Sequence, residues 1–98
     1  MIDDSAFKNC YSLKNVNFSA LTSLMLIDEF AFSDCSSLAK ADLHCTQISS
    51  IDPNAFEHCF SLEQVKLPST VKTIYDNAFL QCSSLASIDM SNTSVEEI

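Results

Sequence analysis

The sequence predicts an α/β solenoid of about four turns, and three observations lead there. One apolar pattern recurs along the whole chain, the hydrophobic period changes twice inside each copy, and length varies in only one segment of the copy. The copies are IDDSAFKNCYSLKNVNFSALTSLML from Ile2, IDEFAFSDCSSLAKADLHCTQISS from Ile27, IDPNAFEHCFSLEQVKLPSTVKT from Ile51 and IYDNAFLQCSSLASIDMSNTSVEE from Ile74, and Ile98 opens a fifth. Successive isoleucines lie 25, 24, 23 and 24 residues apart. The expected organisation is one solenoid segment with repeats 2–26, 27–50, 51–73 and 74–98. A single turn cannot bury its own apolar face, whereas stacked turns share a continuous core.

Each copy opens with I-x-x-x-A-F-x-x-C-x-S-L. Ala55, Phe56 and Cys59 stand at i, i+1 and i+4, which predicts a one-turn helix with Leu62 after it. Val65 and Leu67 then alternate with Gln64 and Lys66, the pattern of a short parallel strand with one buried face. The equivalent apolar pairs are Val16/Phe18, Ala41/Leu43 and Ile88/Met90, and Pro68 ends the strand of the third copy by removing a donor. Val71 and Ile74 flank a second short extended segment, with Leu24, Ile48 and Val95 in the column of Val71. Stacking predicts that Phe7, Phe32, Phe56 and Phe79 align in single file. The first copy begins at the N-terminus and the last breaks off as a fifth opens, so a fragment of a longer array, lacking both caps, is expected. The chain has no glycine, so left-handed backbone positions fall to Asn, Asp or Ser.

Composition removes several classes of function. Thirteen acidic residues face five lysines and no arginine, a formal charge of −8, so the basic footprint of a nucleic-acid binder is missing. Direct membrane contact by this segment is disfavoured for the same reason. No apolar run approaches the ~20 residues of a membrane span, and the opening MIDDSAFKNC has no signal-peptide pattern.

The consensus A-F-x-x-C-x-S-L-x-x-V-x-L-P-x-x-V-x-x-I resembles the BspA-like class of leucine-rich repeat over the whole chain. The Asn ladder of ordinary leucine-rich repeats is absent, its sites being Ala20, Cys45, Ser69 and Asn92. The resemblance implies a right-handed leucine-rich-repeat coil and a cell-surface or secreted protein that adheres to host or cell-surface proteins. The ending IDMSNTSVEEI is similar to protozoan members. Asp3, Asp28, Asp52 and Tyr75 stand where the family often has Gly.

Each recurring polar column has a structural explanation beside a functional one. Cys10, Cys35, Cys59 and Cys82 form an inward ladder that reads as buried thiols or, with difficult geometry, as disulfides; Cys45 lies outside it. His44-Cys45 and His58-Cys59 lack zinc-ligand spacing, and neither metal nor other cofactor is expected. The Ser column of Ser12, Ser37, Ser61 and Ser84 recurs in every turn, as a stacking residue does and a catalytic one need not, so no enzyme is expected. The Asp column suits N-caps of the short helix or, interrupted by Tyr75, a Ca²⁺ ladder.

The outward strand sites form two columns: Asn15, Lys40, Gln64, Ser87 and Asn17, Asp42, Lys66, Asp89. They read as a solvated face with cross-strand charge pairs or as a broad protein-binding surface. Met25 with Leu26, and Tyr11 with Phe60, are exposed apolar pairs suited to a neighbouring turn or to a partner. Asn17 and Asn92 open N-x-S/T sequons, acceptor sites compatible with a secreted eukaryotic protein. The expected function is a non-catalytic protein-binding or adhesion module, with a structural spacer or intracellular interaction scaffold as alternatives.

Overall fold

A computed structural model describes residues 1–16 and 18–89. Five short strands follow one another: β1 (Lys40–Asp42), β2 (Ser50–Ile51), β3 (Gln64–Lys66), β4 (Thr73–Ile74) and β5 (Ser87–Asp89). β1, β3 and β5 form one parallel sheet and β2 with β4 a second. The register runs Lys40, Gln64, Ser87 and Asp42, Lys66, Asp89, with Asn15 bridged to Lys40. In the second sheet Ile51 pairs Ile74, and Ile2 is bridged in parallel to Ile27. Equivalent residues of successive copies are therefore neighbours. Met90, Val95 and Ile98 lie outside the described residues.

The interior is built from the repeating columns. Phe7, Phe32, Phe56 and Phe79 stack face to face, with centroids 5.1, 5.3 and 5.6 Å apart and planes within 6° of parallel. Phe18 meets the file edge-on, 6.0 Å from Phe32 at 71°. Ala31, Phe32, Cys35, Leu38, Ala55, Phe56, Cys59 and Leu62 are fully buried. Along the strands Ala41 and Val65 point inward between exposed residues, the alternation expected of a half-buried strand.

The one-turn helix is not what forms, and among the described residues there is no helix. The A-F-x-x-C segment is a chain of linked β-turns. In the third copy the amide of Ala55 donates to Asp52, Glu57 to Asn54, Cys59 to Phe56 and Leu62 to Cys59. Asn54 and His58 have φ of 60° and 61° while the residue before each has negative φ, which defines two type II turns. The other copies place Ser5 and Asn9, Phe30 and Asp34, and Asn77 and Gln81 at the same left-handed positions.

Inter-turn hydrogen bonding explains the choice. A helix would consume its amides internally, whereas the turn chain sends every second one to the next copy. Phe30, Phe32 and Asp34 donate to the carbonyls of Pro53, Ala55 and Glu57; Asn54, Phe56 and His58 donate likewise to Asp76, Ala78 and Leu80. Ser5, Phe7 and Asn9 do the same toward Glu29, Ala31 and Ser33. Three columns of peptide groups thus run along the stack, all oriented the same way, at a spacing that also suits the phenylalanine file.

The Asp column does not cap a helix either. The main-chain carbonyls of Asp3, Asp28, Asp52 and Tyr75 accept the first turn bond, so Tyr75 interrupts the column without structural cost. Asp28 accepts from the adjacent Glu29 amide at 2.7 Å and Asp52 from the Ser50 hydroxyl at 2.5 Å.

Candidate protein-binding face

The sheet of β1, β3 and β5 brings the sequence candidates onto one surface. Asn15, Lys40, Asp42, Gln64 and Lys66 are exposed on it, and Ser87 and Asp89 take the matching backbone positions in β5. Asn17 and Asn92 lie outside the described residues. Parallel pairing holds the backbone of the face rigid, so its side chains stand at fixed lateral intervals of about 4.8 Å.

The charge pairing expected from register differs in one respect. Lys66 is in register with Asp42, yet no ion pair joins them. Oδ1 of Asp42 instead accepts from both the amide and the Nδ1 of His44, at 3.2 Å each. A ring two residues along the same segment reaches the carboxylate through a short local closure, whereas a lysine across the sheet must fix four torsions for one exposed contact. His44 is the residue that strand patterning missed; an Asp-x-His run where a strand ends is the signal that finds it.

Asp42 and His44 also line a cavity of about 110 Å³ with Val16, Phe18 and Ser19. Phe18 is buried and Val16 half-buried, so one wall is apolar and the other carries the carboxylate and the ring.

The cysteine ladder performs structural work. The five cysteines are free thiols. Sγ of Cys35 donates to the Phe7 carbonyl at 3.1 Å, and Cys59 and Cys82 donate to Phe32 and Phe56 at 3.2 Å. Each of these carbonyls also accepts the turn bond of its own copy, so a thiol satisfies its second lone pair. Burial pushes the Cys35 thiol up to about 11, partly offset by the backbone amide of Cys10, and burial raises Cys59 and Cys82 as well. These sulfurs stay protonated and unreactive at neutral pH.

The remaining candidates are dispersed. Ser12, Ser37, Ser61 and Ser84 make no side-chain hydrogen bond among the described residues. No group of three His, Cys, Asp or Glu side chains among the described residues is placed to hold a metal. His58 pairs with Asp34 of the preceding turn at 2.8 Å and stacks on Phe60 at 5.7 Å. Tyr11 and Met25 are exposed, whereas Leu26 is half-buried. None of the described residues forms a helix long and apolar enough to cross a membrane.

A stack of parallel turns with a rigid polar sheet face defines a repeat protein of the kind that serves as a protein-interaction module. The family model described as "BspA type Leucine rich repeat region (6 copies)" matches residues 1–98, and the chain belongs to this family. Leucine-rich repeats of this type are typically non-catalytic. No curated protein and no solved structure matches the chain significantly.

Proposed function

We propose that the chain is a non-catalytic adhesion module of a cell-surface or secreted protein, and that it binds a host or cell-surface protein through the strand face. The carrying observation is that Asn15, Lys40, Asp42, Gln64 and Lys66 stand exposed and in register on one backbone-paired sheet. Such a face offers many modest contacts, and specificity lies in the outward columns, which differ from turn to turn while the inward ones repeat. Ser87 and Asp89 extend the face by one strand. We place the four repeats, 2–26, 27–50, 51–73 and 74–98, in one solenoid segment.

The test is binding of the chain to a panel of immobilised host matrix and cell-surface proteins. Lys40→Glu with Lys66→Glu is expected to weaken a captured interaction at least about ten-fold, since like charges across an interface cost several kcal/mol. Retained binding by the double variant removes the strand face, and absence of binding across the panel favours a spacer.

A further inference from the structure

We propose that Cys45 is a thiol–disulfide exchange site, where its sulfur takes up a disulfide-bearing ligand as a mixed disulfide with His44 as the base. The inference stands on one side-chain cluster and does not depend on the strand-face reading above.

Residues that serve stacking recur in every copy, whereas the His44-Cys45 pair occurs once at its place in the repeat. The same two positions are Ser19 and Ala20, Pro68 and Ser69, and Ser91 and Asn92 in the other copies. Cys10, Cys35, Cys59 and Cys82 pack in or against the core, and Cys45 does not. It stands beside the exposed His44 in a turn that the amide and hydroxyl of buried Thr46 both close on the Leu43 carbonyl, at 3.0 and 2.7 Å. Sγ of Cys45 lies 3.7 Å from each ring nitrogen of His44. Nδ1 of that ring faces Oδ1 of Asp42 at 3.2 Å, which keeps the ring proton on Nδ1 and leaves Nε2 to accept another. A nucleophile within reach of a base that a third group orients is the arrangement that activates a thiol.

The step balances without an external oxidant. The Cys45 thiol proton passes to Nε2 while the sulfur's electron pair forms a bond to one sulfur of the ligand disulfide. The ligand's S–S bond breaks, its electron pair leaves on the second sulfur, and that sulfur takes the proton from Nε2. Cys35, Cys59 and Cys82 do not compete, since burial keeps them protonated and their sulfurs are committed to backbone carbonyls.

The experiment incubates the reduced, folded chain at neutral pH with glutathione disulfide or with insulin as a protein disulfide, and locates adducts by mass spectrometry of proteolytic peptides. A single adduct is expected, at Cys45, released by dithiothreitol and absent from Cys45→Ser, whose thermal transition should be unchanged. Reaction with glutathione disulfide alone assigns the site to small disulfides, and reaction with insulin assigns it to proteins. His44→Gln is expected to slow the reaction at least about ten-fold at neutral pH, and Asp42→Asn about two- to five-fold. Both differences are expected to close above about pH 9, where a thiol ionises unaided, a profile that a merely structural role would not give. No adduct on the folded chain, reaction at Cys10 as fast as at Cys45, or a His44→Gln rate equal to that of the parent chain would overturn the site.

Discussion

Eight of the described residues, none of them glycine, hold φ between 57° and 64°. Each conformation costs on the order of 1 kcal/mol for a residue with a Cβ, least for Asn and Asp. The absence of glycine pointed to Asn, Asp and Ser, and Ser5, Asn9, Asp34, Asn54 and Asn77 fit that expectation. Phe30, His58 and Gln81 were not legible, because the amides of Phe30 and His58 are committed to the next turn and the fold imposes the same angle on Gln81 whatever its side chain. Exposed Gln81 is the informative site: Gln81→Gly is expected to raise stability by about 1 kcal/mol and Gln81→Val to lower it by at least as much, read by urea denaturation. The thiols give a pH prediction. Cys35 ionises near 11 in the fold against an ordinary 9.0, so the folded chain keeps a proton that the unfolded chain releases. The contribution of this thiol to stability is therefore flat below pH 9 and falls as pH rises from 9 toward 11. Cys35→Ala is expected to show a shallower decline in melting temperature over that window.

Among elements, the strands were readable and the turn segment was not. Two-residue alternation fixes which face of Gln64–Lys66 is buried, and the constant 16-residue offset from each opening isoleucine fixes the register. The i, i+1, i+4 spacing of Ala55, Phe56 and Cys59 does not distinguish a helical turn from linked type II turns, since both bring the three side chains inward. Bonding to adjacent copies decides between them, and that information is not local. The phenylalanine file is where elements are most coupled. Phe56→Ala removes stacking with both neighbours and is expected to cost about 3 to 5 kcal/mol, whereas half-buried Phe79, stacked on Phe56, should cost less when truncated. Thermal denaturation of the two variants checks the order. The candidate face was legible as columns, but the partner of Asp42 was not, because cross-strand register says which residues are adjacent and not which contact loses least side-chain freedom.

For the whole molecule, contacts run between successive copies, and stability is a sum of turn and junction terms. Burial is complete in the file at Phe32 and Phe56, while Phe7 is 38% exposed. Amide exchange is accordingly expected to be slowest at Phe32 and Phe56 and faster at Phe7, although all three amides are hydrogen-bonded; equal rates would mean that the stack opens as a unit. The uniform orientation of the peptide columns has a mechanical corollary. Their hydrogen bonds lie parallel to the axis, so a tensile load along it parts one junction before the next is strained. Each coil of about two dozen residues, some 5 Å tall in the stack, would then pay out a tether of about 80 Å. A module anchored at one end and gripped at the other would lengthen stepwise under shear while its remaining coils stayed intact.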